Sequence, residues 1–549
     1  MSFMKRAFVG LAALAAIGTA TADFDGPAPI AWRWADRITA RPSGSPTIVG
    51  DHVFAAVGSR MYCLERESGN QVWRFPAGEP LQANFTAGAA VAGDLMIAAA
   101  DDKSIYAVNT KTGEMAWQYI APDGVFSRPV VVGTAVVFGL ASNQILALGL
   151  QTGQPIWDAP YAPTGGIYDS MTSWNNSVIF LTSDGMLTAL DVTTKRPAWR
   201  PRQFTSVSPL AGITVYGDNI FVSSGVYLTS LTASTGRVRF ETIVPGTLRF
   251  NPAVGPEGIV VVTEDGRMHS FTNLGRPAFR TGIDLGSAAA AGPAFTGDVV
   301  AIPTSNGSLN LLDPFSGQVL WNFTVPPMVK GMKVTVTTGG GGGAGGGAGL
   351  GGAGGSGGQG TTSEMEIRYV TAAGPAVSVG DTLVLLAEDG SILAFDKGLG
   401  VDLTPPDVSM VWPNPGDQVS GRAPMELIFL VTDVGSGVRF EGDNANYEGL
   451  KVTVNGNPYI HEVDREGRVR VKILTSAGPN FPLADGRARI TVAVADWMGN
   501  SRAQNFVLTI DNTLPALGSP RLPETGTTGG GPGAGGSGGR GGGGSRGGG

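Results

Sequence analysis

The sequence predicts an all-β chain, an eight-bladed β-propeller followed by a β-sandwich. Three observations carry that expectation. A short motif recurs about every 40 residues from residue 69 onward. Each period divides into four short, strand-like segments separated by turn residues. After residue 402 the motif stops, and about seven more strand-like segments follow before residue 512.

The motif reads small residue, apolar residue, Asp or a substitute, two variable positions, Thr or Ser, Gly, three variable positions and an aromatic. Its clearest copy is Ala107-Val108-Asn109-Thr110-Lys111-Thr112-Gly113, leading to Trp117. The glycine position holds Gly69, Gly113, Gly153, Lys195, Gly236, Gly275, Gly317 and Gly400. Successive spacings are 44, 40, 42, 41, 39 and 42 residues, and a last one of 83 that contains a Gly-rich tract. We read that last spacing as one period plus an insertion. Four residues after each glycine position come Trp73, Trp117, Trp157, Trp199, Phe240, Phe279, Trp321 and finally Thr404. Self-similarity at this period with strand-like flanks is the signature of a propeller, in which neighbouring four-stranded sheets bury one another's faces.

In the first period the strands are expected at Thr47–Val49, His52–Val57, Arg60–Glu65 and Gln71–Phe75. Asp184-Gly185, Asp265-Gly266, Asn306-Gly307 and Asp389-Gly390 separate the second and third strands of later periods. Those dipeptides suit tight hairpins because both residues tolerate positive φ. The outer-strand aromatic supplies the large apolar area with which one blade packs on the next. The eighth unit ends after Asp396 in Leu403-Thr404-Pro405-Pro406, where prolines oppose a paired strand. The aromatic strand Ile30-Ala31-Trp32-Arg33-Trp34 has no blade before it. Trp32 or Trp34 therefore fills the missing aromatic slot, and the leading strand closes the ring.

These residues, from about 28 to 397, resemble the pyrroloquinoline-quinone-type propeller repeat. Quinoprotein dehydrogenases and outer-membrane assembly propellers share it, and the resemblance implies a quinoprotein alcohol dehydrogenase-like fold. It also makes pyrroloquinoline quinone and calcium the cofactors to test for, although the residues themselves require none. Large quinoprotein alcohol dehydrogenases use an adjacent Cys–Cys disulfide beside the quinone, with calcium and a carboxylate base. The single cysteine, Cys63, excludes that disulfide here. It also excludes a thiolate zinc cage. Cys63 and His269 occupy the motif's small-residue position, where other units place Ala107, Ala147, Ala189, Ser230, Leu311 and Ala394, so both read as packed strand residues.

Acidic residues gather between second and third strands at Asp101, Asp102, Asp184, Glu264, Asp265, Glu388 and Asp389. Up-and-down connectivity puts these turns on one face with the interblade loops, which carry Phe126, Tyr161, Tyr168, Arg249 and Phe250. Asp101, Asp102, Phe126, Tyr168, Arg249, Glu264 and Glu388 form the candidate binding face. Turn chemistry alone accounts for Asp184, Asp265 and Asp389.

The boundaries follow from composition. Residues 1–22 read as a signal peptide: Lys5 and Arg6, an apolar run over 7–17, then Ala20-Thr21-Ala22, with Asp23 as the mature start. No cysteine follows that run, so no lipid anchor is expected. The propeller spans 23–402, with a Gly-rich hairpin inserted at 330–366. Residues 403–512 form the sandwich. Its Pro405-Pro406 opening, the Gly435-Ser436-Gly437 after Asp433 and Asp496-Trp497-Met498-Gly499-Asn500 resemble bacterial surface immunoglobulin-like domains. Asp433, Asp464 and Asp496 have no regular ligand spacing, so no metal site is assigned. A disordered Gly-rich tail covers 513–549. Its Leu522-Pro523-Glu524-Thr525-Gly526 resembles a sortase pentapeptide, read as a chance match in a linker.

A formal charge of −7 without a basic cluster argues against nucleic acid, whose phosphates demand Lys and Arg. No segment after the signal is long and apolar enough to span a bilayer. The sequence therefore reads as an exported, non-catalytic, monomeric scaffold, secreted or in the periplasm or at the cell surface, with a protein or cell-envelope component as partner. A quinone-dependent dehydrogenase and an outer-membrane assembly propeller are the alternatives.

Overall fold

The computed structural model describes residues 24, 26–35, 40–42, 44–204, 211–325, 328–337, 360–398, 402–439, 449–463, 468–473 and 483–518. The segments read as signal peptide and Leu522–Gly526 lie outside them, as does Asp464. The chain divides into two compact units. One is built on a two-stranded sheet of Met328–Thr337 with Gly360–Arg368. The other holds every remaining sheet.

Eight of those sheets carry the repeat. Blade 1 is Thr47–Val49, His52–Val57, Arg60–Glu65 and Gln71–Phe75, paired in chain order. Blades 2, 6 and 7 repeat that order, and blades 3 and 5 contain three strands. Blade 4 breaks its outer strand into Arg196–Pro197 and Arg202–Gln203, both paired with Met186–Asp191. Blade 8 consists of Val377–Val379, Thr382–Leu386 and Ile392–Asp396, with Ile30–Trp34 as its outer strand. The first strands of successive blades touch one another from blade 1 round to blade 8 and back. Each consecutive pair shares an apolar cluster. The one between blades 8 and 1 joins Trp32, Val384, Leu386 and Ala394 to Val53, Tyr62 and Leu64. The ring is therefore closed by the leading strand, in antiparallel register with Trp32 opposite Ala394.

The repeat motif is a latch between blades. Trp32 donates its indole N–H to Arg66 O (2.7 Å), Trp73 to Thr110 O (2.8 Å) and Trp117 to Leu150 O (3.0 Å). Trp157 reaches Val192 O (2.8 Å) and Trp199 reaches Ala233 O (2.9 Å). Each acceptor lies three residues before the next blade's glycine position, and the indole ring covers that position. A Cβ on Gly69 would sit 2.5 Å from the Trp32 ring, and Gly69 has φ +68°, so both space and backbone demand glycine. The small residue opposite each aromatic makes room within the blade: Cys63 faces Trp73, Ala107 faces Trp117 and Leu311 faces Trp321. The Asp or Asn of the motif caps the turn, as Asn109 Oδ1 does for the Lys111 and Thr112 amides (2.9 and 3.1 Å). Asp396 accepts from Thr382 Oγ1 (2.6 Å) and the Gly398 amide (2.7 Å).

Two positions depart from the expected pattern. Gly236 and Gly275 lie under Trp199 and Phe240, but Ile283, not Phe279, covers Gly317. The outer strand of blade 6 starts only at Ile283, so the aromatic four residues after Gly275 falls in the preceding loop. Lys195 adopts φ 55° where the others have glycine, and its ammonium lies 5.4 Å from the Trp157 ring centroid.

After the ring come two further sheets. One orders Asp407–Trp412, Met425–Thr432, Arg468–Ile473 and Glu462–Val463. The other orders Gln418–Val419, Ser501–Ile510, Gly486–Ala495, Leu450–Val454 and Asn457–Tyr459. They share one core that includes Phe429, Val471, Val492 and Leu508. Alternate burial along Gly486–Ala495 is the period-2 pattern of a sheet with one wet face.

Candidate functional site

The turns between second and third strands and the interblade loops meet on one face. Phe85 donates its amide to Gly58 O (2.8 Å), and Ala141 donates its amide to Gly124 O (2.8 Å), tying interblade loops to the turns of blades 1 and 3. Asp101 Oδ1 accepts the Asn84 amide (3.0 Å), and Asp102 Oδ1 accepts the Ser104 amide (2.9 Å). Glu264 pairs with Arg249 (3.5 Å), whose guanidinium lies 4.9 Å from the Phe250 ring centroid. Glu388 pairs with Arg41 (3.3 Å), and its neighbour Asp389 with Arg33 (3.4 Å). Phe126 is half-buried against the cluster between blades 3 and 4. The side chain of Tyr168 lies outside the described residues. The structure thus brings Glu264 to Arg249 and Glu388 to Arg41, and gives Asp101 and Asp102 to turn capping.

Cys63 is fully buried inside blade 1, and burial pushes its thiol up to about 12. Arg128, at the inner end of blade 3, is committed to Ala89 O (3.1 Å) and Thr47 Oγ1 (3.2 Å), joining the first three blades. Burial holds the His269 imidazole below its ordinary pKa, as expected of a strand residue kept neutral.

The most concentrated chemistry lies where blade 7 meets the two sheets that follow the ring. Trp321, the last aromatic of the repeat, donates to Ser436 O (2.8 Å), which belongs to the sandwich, not to blade 8. Gly437, at φ +87°, lies against this strand, and a Cβ there would approach Asn322 O to 2.8 Å. Trp497 Nε1 donates to Asn322 Oδ1 (3.1 Å), and the Ile30 amide donates to Gly435 O (3.3 Å). Ser436 O thereby accepts from Trp321 as Arg66 O, Thr110 O and Leu150 O accept from the tryptophans before them.

Three aspartates stand behind that loop. Asp402, Asp433 and Asp496 are all more than nine-tenths buried, and each has a carboxylate oxygen within 4.8 Å of the others'. Burial pushes Asp402 up, but N–H and O–H donors from Thr404 and Ser436 outweigh it and hold the group below its usual range. Burial pushes Asp433 up to about 6, against the Gly437 amide and with help from the charge of Asp402. Burial also raises Asp496, although Asn500 donates to both its oxygens (2.8 and 2.7 Å). Oxygen donors of this kind could hold a hard cation, and a proton shared among them is the other means of neutralisation. Asp433 and Asp496 were visible in their motifs. Asp402 carries no sequence signal linking it to them.

A stability prediction follows from Asp433. Its folded pKa lies above the unfolded value of a carboxyl group, so its contribution is fully present below about pH 4 and is lost as pH rises through about 6. Asp433→Asn is expected to raise stability by about 1–2 kcal/mol at pH 7.5 and by about a third of that at pH 4.5. Chemical denaturation at the two pH values checks this. A variant less stable at pH 7.5 contradicts it.

A family model described as outer membrane protein assembly factor BamB matches residues 29–211 and 183–337. Outer membrane protein assembly factor BamB of Burkholderia pseudomallei is 25% identical over 324 residues, 49% of this chain and 84% of that protein. Tetrathionate hydrolase of Acidithiobacillus ferrooxidans is 25% identical over 301 residues, 44% of this chain and 58% of that one. The crystal structure of BamB from Moraxella catarrhalis has a TM-score of 0.50 at 14% identity, covering 66% of this chain and 98% of its own, a likeness of fold. Matched by the family model over more than half its length and built from the same repeat, the chain belongs to the PQQ-type propeller family described as outer membrane protein assembly factor BamB.

Proposed function

We propose that this protein is a non-catalytic binding scaffold of the cell envelope, working in outer-membrane protein assembly. The observation that carries the reading is the family match, supported by a relative named as an assembly factor that is matched over 84% of its length. The face of turns and interblade loops is the binding surface. Its Arg249–Glu264 and Arg41–Glu388 pairs are half-exposed rim charges, of the kind that govern encounter rate and partner choice more than affinity. The second domain is an immunoglobulin-like spacer, which the Trp321 contact fixes in place. No quinone or calcium is needed for this role.

The test is cross-linking and pull-down from envelope extracts with the full chain and an Asp101→Lys/Asp102→Lys/Glu264→Lys variant. The expected result is recovery of outer-membrane assembly components by the parent, and an association rate about tenfold lower for the variant. Unchanged recovery by a variant with parental melting behaviour removes this face. Dye-linked alcohol oxidation on adding pyrroloquinoline quinone and calcium would overturn the non-catalytic reading.

A further inference from the structure

Between the outer edges of blades 4 and 5 lies a cavity of about 660 Å³. Arg200, Arg202, Gln203 and Phe204 line it from the broken outer strand of blade 4, and Arg237 and Glu241 from blade 5. The walls are held independently of any ligand. Trp199 latches blade 4 to Ala233 O, Arg202–Gln203 pairs with Met186 and Leu187, and Gln203 Nε2 donates to Asp184 O (2.6 Å). Pro201, inside the break, interrupts the ladder and opens the space.

The charge here is unmatched. Among the described residues no carboxylate pairs with Arg200, Arg202 or Arg237, as is also true of Arg60, Arg196 and Arg239; what sets the three apart is that they line one cavity. Glu241 is the one acidic residue lining the cavity, and its Oε2 accepts from Thr229 Oγ1 (3.3 Å). Three arginines against one glutamate among the lining residues leave a formal surplus of two positive charges, and all four side chains are exposed to solvent and so accessible to a ligand. A basic cluster therefore exists in this acidic chain. Arg200 and Arg202 already stand beside Lys195 and Arg196 in the sequence, and Arg237 joins them from the next blade.

We propose that this cavity binds a ligand through phosphate groups carrying at least two negative charges. A single carboxylate would leave the surplus unneutralised. The planar guanidinium fork matches paired phosphate oxygens in two-pronged fashion, and the volume lies in the range of small-molecule sites. The site goes beyond the scaffold function and does not depend on it. Its phosphate could belong to a soluble polyphosphate or to a lipid headgroup.

Titration calorimetry of the full chain with inorganic tripolyphosphate, and flotation with phosphatidylcholine vesicles with and without phosphatidic acid, test the site and separate the sources. Arg200→Gln, Arg202→Gln and Arg237→Gln are each expected to weaken binding about tenfold, and the triple variant to abolish it. Arg200→Lys keeps charge without the fork and should fall between. Arg239→Gln, outside the cavity and bonded to Asn219, should bind like the parent. Tripolyphosphate binding without flotation assigns a soluble ligand. Flotation that needs phosphatidic acid and is competed by tripolyphosphate assigns a headgroup. No binding of either probe, or undiminished binding by a folded triple variant, overturns the proposal.

Discussion

Removing residues 30–35 is expected to abolish the cooperative thermal transition of the propeller. The third strand of blade 8, Ile392–Asp396, would lose its outer partner along the register from Ile30 to Trp34 and expose an unpaired edge. Trp32, only 8% exposed, would leave the Gly69 turn uncovered and the Arg66 carbonyl without its donor. Trp34 would leave Tyr62, with which it makes an edge contact at 4.5 Å. Loss of one buried tryptophan alone costs about 3–5 kcal/mol, and the total stability of a domain is about 5–15 kcal/mol. The seam is also where a ring has no covalent continuity, so the deficit cannot be shared with a neighbouring blade. Calorimetry checks the result, and a sharp transition at the parental temperature would refute it. Trp32→Phe keeps most of the area and loses the indole hydrogen bond, so it should cost about 1–2 kcal/mol.

Trp321→Ala is expected to cost about 3–5 kcal/mol and to uncouple the second domain from the ring. Trp321 is fully buried among Phe24 (5.8 Å between ring centroids), Phe323 (6.3 Å) and Phe395 (5.0 Å). Its indole donates to Ser436 O, and Ser436 in turn donates its amide and hydroxyl to Asp402 Oδ2 (both 2.8 Å). Truncation opens a cavity and removes the anchor of the loop that touches blade 7, the leading strand and the linker aspartate together. One calorimetric transition in the parent should become two in the variant. A single transition shifted by less than about 1 kcal/mol would show that the junction is not held this way.

The ring was legible in the sequence because its latch joins residues of fixed spacing, a tryptophan in one blade and a glycine position in the next. The choice between Trp32 and Trp34 was not legible. Both belong to one short strand, and an irregularity between Ile30 and Trp32 decides the register. Phe279 misled because aromatic character at the right spacing cannot reveal that blade 6 starts its outer strand late, at Ile283. The acidic turns read as a surface cluster, yet several of those carboxylates are spent locally, Asp184 on Thr164 Oγ1 (2.6 Å) and Asp102 on an amide. Asp402 and the joining of Arg237 to the basic run of Lys195, Arg196, Arg200 and Arg202 were invisible for a common reason. Each depends on two elements meeting side by side, the linker with two sandwich loops or the edges of two blades, and neither meeting has a sequence period.

The most direct test of the latched ring is indole N–H exchange by NMR on selectively labelled protein, with Trp32→Phe used to assign its signal. The account predicts that the Trp32 indole exchanges as slowly as those of Trp73 and Trp117, opening only when the ring itself unfolds. A Trp32 indole that exchanges at the rate of a free side chain, in a protein that still melts cooperatively, would contradict it.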